Sequence, residues 1–199
     1  MRSIKMLAVA AVTAIGAVAF VGASPATAGT TALCEVNESP CPAEVEHVHF
    51  VDSAAKLLTP VLNVICEALF LGNALGLVTN GPVLVHGNFT YSNCTNGCTV
   101  TDLIGGLLLF LRTAANLGEV NGDGFKVNVH CAGVIECEYD EEAPVGHLLG
   151  ANLPTTAGHI LIDEQELHRT GNPLTNLICP EPAELDANFD SLEDIYVTE

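Results

Sequence analysis

The sequence predicts an all-β fold: one disulfide-linked domain, a β-sandwich or barrel. Three observations lead there. Eight cysteines all lie beyond residue 33, an even number in a chain that opens like an exported protein. Turn residues recur from Pro60 through Gly81-Pro82, Gly105-Gly106 and Gly122 to Gly171 and Pro173, and leave only short segments between them. Two of those segments alternate with the two-residue period of a half-buried strand.

The N-terminus comes first. Arg2 and Lys5 precede an uncharged run from Met6 to Ala23, and Ala26-Thr27-Ala28 supplies small residues where a signal peptidase needs them. Residues 1–28 are therefore expected to be a signal peptide cut after Ala28. The alternative is an uncleaved anchor, for which the run is nearly long enough. Cys34 lies too far past the apolar run, behind Leu33, to take a lipid. Cleavage leaves 171 residues, one ordinary domain. Residues 29–43 read as an irregular segment closed by a disulfide, and 44–199 as the β-sandwich-like domain.

Within that domain, Phe125, Val127, Val129 and Cys131 share one strand face, and Lys126, Asn128 and His130 the other. Leu185, Ala187 and Phe189 face in, while Asp186, Asn188 and Asp190 face out. Asn121-Gly122-Asp123-Gly124 is the strongest turn signal and predicts a hairpin before the first of these strands. Residues 54–78 and 101–117 are rich in Ala and Leu, which favour helix. Short helices there would make the fold α+β, the alternative to all-β.

The cysteines are Cys34, Cys41, Cys66, Cys94, Cys98, Cys131, Cys137 and Cys179. Four bridges are expected. Cys34–Cys41 and Cys131–Cys137 each bracket a short loop, and Cys66–Cys94 and Cys98–Cys179 are the expected pairs among the rest. Cys94-x3-Cys98 has the spacing of zinc ligands, but thiolates outside the cytoplasm oxidise.

Three patches carry a resemblance: Ala32-Leu-Cys34-Glu-Val-Asn-Glu-Ser-Pro-Cys41-Pro42, Phe89-Thr-Tyr-Ser-Asn-Cys94-Thr-Asn-Gly-Cys98-Thr-Val-Thr101, and Leu177-Ile-Cys179-Pro180 with Ile195-Tyr-Val-Thr-Glu199. The chain resembles a family of uncharacterised secreted proteins of high-GC Gram-positive bacteria. The resemblance implies an all-β, disulfide-linked extracellular domain. It implies no activity and brings no catalytic residues. Between its cysteines this chain has Leu and Ala where that pattern has Thr, Ser and Gly.

Charge narrows the partners. After residue 28 only Lys56, Arg112, Lys126 and Arg169 stand against 24 acids, a formal charge of −20. Nucleic acid and anionic membrane surfaces, which need Lys and Arg, are excluded as partners; a basic or extracellular protein is not. The four serines after the cut, Ser39, Ser53, Ser92 and Ser191, sit in no nucleophile motif, and an even cysteine count leaves no thiol for catalysis. With no Trp and few Tyr, the chain lacks the aromatic platforms of a sugar cleft, which argues against a glycosidase.

Two metal readings survive. In Glu44-Val-Glu-His-Val-His49, a strand would point His47 and His49 the same way, with His86 or His130 joining from neighbouring strands around a transition metal. Calcium is the cofactor for an oxygen site, either at the Asp186, Asn188, Asp190 stripe or in Glu136-Cys-Glu-Tyr-Asp-Glu-Glu142, with five carboxylates in seven residues. Asn121-Gly-Asp-Gly124 lacks the remaining ligands of a calcium loop. The expectation from sequence is a secreted, non-catalytic binding or structural domain without a resident cofactor. Its alternatives are a metal-dependent extracellular enzyme using His47 and His49, and a secreted inhibitor or effector presenting the Cys34–Cys41 loop.

Overall fold

A computed structural model describes residues 30–76, 78–104, 106–114, 117–131, 135–141, 144–149, 158–170 and 179–198. The expected signal segment, 1–28, and Glu142 lie outside them. The strands are β1 (Thr31–Cys34), β2 (His47–Leu58), β3 (Val64–Leu75), β4 (Val78–Thr79), β5 (Val83–Ser92), β6 (Cys98–Ile104) and β7 (Leu107–Ala114). They continue with β8 (Leu117–Gly122), β9 (Phe125–Cys131), β10 (Ile135–Glu141), β11 (Val145–Leu149), β12 (His159–Thr170), β13 (Ala183–Ser191) and β14 (Tyr196–Thr198). Among the described residues the one helical element is a single 3₁₀ turn, Thr95–Gly97.

Eight strands close a ring in the order β11-β8-β7-β5-β3-β2-β13-β12 and back to β11. Every pairing is antiparallel. The remaining wall strands form a second tier: β10 pairs with the far half of β12, β9 with β10, and β6 with β9. The chain links the tiers from β6 to β7, from β8 to β9 and from β10 to β11. Each linked pair behaves as one long strand broken near its middle. Counted so, the molecule is an up-and-down barrel of eight long strands, with the upper tier closed and the lower tier ending at the edge of β6.

The breaks and bulges govern which residues face in. On β2 the inward positions are Val48, Phe50 and Asp52, then Ala55 and Leu57. A bulge at Ser53-Ala54, opposed by Glu67 alone on β3, shifts the phase by one residue. On β12, Ile160 and then Leu167 face in across a second bulge, which holds Glu164 at φ 47°. The wall strands change phase at their breaks, as at Gly124, whose φ of 77° suits glycine.

Two apolar cores result. The upper one gathers Val48, Phe50, Phe70, Phe110, Leu148, Ile160 and Phe189, and is closed by Leu33, Val45, Ile195 and Val197 from and beside the small sheet β14-β1-β4. The lower one gathers Leu57, Val64, Phe125, Val127, Val129, Tyr139, Leu167 and Leu185, with six of the cysteines in or against it. Each fully buried Leu, Val or Phe contributes roughly 1.5–3 kcal/mol.

The all-β expectation holds, and the helical alternative does not. Residues 54–58 complete β2, 64–75 form β3, 101–104 end β6 and 107–114 form β7. Val64, Cys66, Ala68 and Phe70 are buried at every second position, which a helix would scatter around its surface. Long-range ladders outweigh the weak helix propensity of Leu and Ala. The expected hairpin at Asn121–Gly124 is also absent. The chain turns there, but β8 pairs with β7 and β11 while β9 pairs with β6 and β10.

The four bridges are Cys34–Cys41, Cys66–Cys94, Cys98–Cys131 and Cys137–Cys179. The first two match the expected pairs; Cys131–Cys137 and Cys98–Cys179 are corrected. Cys98 stands directly opposite Cys131 in the β6–β9 ladder. In the β9–β10 ladder Cys131 faces Ile135, and Cys137 falls further along, opposite Val129. Cys137 therefore reaches Cys179, just before β13. The last three bridges gather at the lower end of the barrel.

Candidate functional site

The sequence's candidate residues occupy the outer wall. His47 and His49 do share the outer face of β2, as the two-residue period requires. Each ring is engaged: His47 Nδ1 lies 2.6 Å from Asn73 Oδ1, and His49 Nδ1 contacts Glu193 Oε1. His86 lies in the same cross-strand row, but Asn73 stands between it and His47. His130, on β9 beside Cys131, belongs to the opposite end of the barrel. The two β2 histidines border a surface groove of about 640 Å³ with Glu35, Glu44, Glu46, Glu193 and Asp194. Among the described residues, no three His, Cys, Asp or Glu side chains are placed to hold one metal ion.

The Asp186, Asn188, Asp190 stripe faces outward as expected, on the seam where the last barrel strand meets the first. Regular pairing lapses there between Val51 and Lys56 on β2 and between Asp186 and Asp190 on β13. The carboxylate of Asp52 fills the lapse. It accepts the Ala54 N–H and the Asn188 N–H, each at 2.7 Å, and it is only 8% exposed. Lys56 Nζ donates to Asp186 Oδ2 at 2.8 Å across the same seam, and that hydrogen bond raises the lysine's pKa. A lysine ammonium thus supplies the cation beside this stripe. The carboxylates of β10 are spread along the strand, each with its own neighbour: Glu138 pairs with Lys126 at 2.9 Å, Glu136 accepts from Asn128 at 3.0 Å, and Glu141 lies 3.8 Å from His168.

Sequence reasoning missed the interior. Between the two cores, behind the three wall breaks, lies an apolar cleft of about 50 Å³. Phe50, Phe70, Phe89, Phe125, Phe189 and Tyr91 line it, five of the six phenylalanines beyond residue 28. Phe89 is the hub. Its ring centroid lies 4.7 Å from that of Phe70, 5.8 Å from Phe189, 6.3 Å edge-on from Phe125 and 6.4 Å from Tyr91. These are favourable aromatic separations. Gly106, Gly122, Gly124, Pro144 and Gly146 line the side of the wall breaks. A Cβ on Gly106 would come within 2.9 Å of the Phe89 ring and 3.0 Å of Phe70, so glycine there lets the wall approach the aromatic cluster.

The cleft reaches the surface because β5 and β6 are incompletely zipped. β5 pairs with β7 through Val83–His86, and Gly87 N–H then donates to Gly106 O at 2.8 Å. Beyond that no ladder joins β5 to β6 among the described residues. Instead the Phe89 N–H points to the carboxylate of Asp102 at 3.4 Å. Burial raises the Asp102 pKa, and the N–H groups of Phe89 and Ile104 pull it partly back. Burial, and then the nearby Asp102 carboxylate, push the Tyr91 hydroxyl well above the ordinary tyrosine value. Phe89 and Tyr91 remain partly exposed at this seam, and Ile104 is 45% exposed. A second cavity of about 30 Å³ lies below, sharing Ala55, Tyr91, Phe125 and Leu185 with the first.

No family model, no curated protein and no solved structure matches this chain.

Proposed function

We propose that the protein is exported and works outside the cytoplasm as a non-catalytic binding domain, akin to the secreted family it resembles, with the barrel interior as its ligand site. The observation that carries this reading is an aromatic cleft open at an unzipped seam, inside a barrel held by four disulfides that leave no free cysteine. An apolar cleft near groups with perturbed pKa values is the usual form of a small-ligand site. The bridges limit the unfolded chain's freedom, which suits a protein far from chaperones.

The test of export is the intact mass of protein taken from the culture medium. The expected mass is that of residues 29–199 less eight hydrogens. Protein found only in the cell, with its thiols reduced, would overturn the reading.

The groove bordered by His47, His49 and five carboxylates favours one rival, the metal-dependent extracellular enzyme. That reading requires zinc or copper to bind at micromolar levels and His49→Ala to abolish binding; calorimetry without heat of binding would end it.

A further inference from the structure

We propose that the cleft between the two cores takes a small, neutral, apolar molecule of about one ring, and that it rejects the anionic counterpart. This deepens the binding reading above and rests on it. The argument begins with the lining. Among the described residues around the cleft, none carries a charge, and the hydroxyl of Tyr91 is the single side-chain polar group. Such a wall offers a ligand dispersion, aromatic contacts and release from water.

Size limits the ligand. The cleft holds about 50 Å³, with about 30 Å³ more beyond Tyr91 and Phe125. A long acyl chain needs a deeper space, whereas a short hydrocarbon fits within the cleft and a single ring can seat there with one edge at the open seam beside Ile104. The packed rings of Phe70, Phe89 and Phe125 present both faces and edges, which suits an aromatic ring in stacked or edge-on contact.

Charge limits it further. The Asp102 carboxylate stands at the open seam beside Phe89, and no lysine or arginine lines the cleft. A carboxylate brought in on the ligand would lose its water and face Asp102; Lys56, the one cation lining the adjoining cavity, is already bonded to Asp186, and the secreted chain has a formal charge of −20. Burying an unpaired charge is the costliest thing a binding site can do. A neutral molecule carries no such penalty. The pattern therefore selects against fatty or aromatic acids and for their uncharged analogues.

The experiment uses the oxidised, secreted protein and ligand-observed ¹⁹F NMR with two probes, fluorobenzene and 4-fluorobenzoate. The expected result is saturable fluorobenzene binding with a Kd near or below about 1 mM, a reasonable affinity for so few atoms. 4-Fluorobenzoate should bind at least about tenfold more weakly, the cost of one unpaired buried charge at its smallest. Ala55→Leu fills both cavities and should abolish fluorobenzene binding. Should that variant fail to fold, Ile104→Asp serves instead. Its site is exposed at the seam, and it should weaken fluorobenzene binding about tenfold. Equal binding of both probes would overturn the ligand class while leaving the interior as the binding site. No saturable binding of either, or binding untouched by Ile104→Asp, would overturn the site itself. Neither outcome bears on export, which the intact mass decides separately.

Discussion

Asp52 is the residue on which barrel closure should depend most. At the seam between the first and last strands, regular pairing lapses on both sides of the bulge, and its carboxylate accepts two backbone N–H groups at 2.7 Å. Asp52→Ala would leave both donors without partners in a site that is 8% exposed. An orphaned buried donor costs about 1–3 kcal/mol, so two cost about 2–6 kcal/mol. The adjoining hollow of about 260 Å³, lined by Ser53, Lys56 and Asp190 among others, lets water reach part of the gap. Solvation there reduces the expectation to about 2–4 kcal/mol. Asp52→Asn keeps one acceptor but turns an amide donor toward the other N–H, for an expected loss of about 1–3 kcal/mol. The assay is urea unfolding followed by far-ultraviolet circular dichroism, without reductant. At a slope near ~2 kcal/mol per molar, Asp52→Ala should move the midpoint down by about 1–2 M with the slope unchanged. Thermal midpoints should fall by about 5–15 °C. A loss below about 1 kcal/mol for Asp52→Ala would refute the argument and show that the ladders hold the seam without it.

Three further outcomes are expected. Tyr139 donates to the Pro180 carbonyl at 3.0 Å, and burial pushes its pKa up to about 12, so Tyr139→Phe should cost about 1 kcal/mol and leave the native tyrosinate absorbance at pH 11 unchanged. A drop in that absorbance would mean that Tyr139 is solvated. Burial holds the Asp102 carboxyl above its ordinary value of 3.8, so its contribution to stability is complete below that pH and is lost as pH rises through the folded pKa. Thermal melts from pH 4 to pH 7 should therefore show Asp102→Asn gaining on the parent as pH rises; parallel curves would remove Asp102 as the cause. Peptide mapping without reduction should recover Cys98 linked to Cys131, and replacing both by serine should cost about 3–4 kcal/mol, because that bridge spans 33 residues. Recovery of Cys131 linked to Cys137 would contradict the ladder registers.

The architecture was legible where one strand keeps one phase. β9 and β13 show it: Phe125 to Cys131 and Leu185 to Phe189 alternate without interruption, and their buried and exposed faces are the ones the pattern assigns. The shared face of His47 and His49 was readable for the same reason. β2 was not readable across its length, because the bulge at Ser53-Ala54 changes the inward residues from even to odd positions. A single inserted residue erases a period of two and leaves an Ala- and Leu-rich stretch that looks helical. The same holds at Asn121–Gly124, where a strong turn signal marks a corner between tiers, since a turn fixes a local direction but not the partner of the strand that follows.

The sequence by itself determined the strand class, the number of bridges and the acidity of the chain, because each depends on composition or on neighbours along the chain. Tertiary structure decided the rest. Cys98 meets Cys131, and not Cys179, because two strands align in one register. Phe50, Phe70, Phe89, Phe125 and Phe189 come from five strands and meet only once the ring is closed. Asp52 gains its role from Asn188, 136 residues away, when the last strand returns to the first. Contacts of that range carry no periodicity that a sequence can display; they exist only after the chain has paid the entropy of bringing distant strands together.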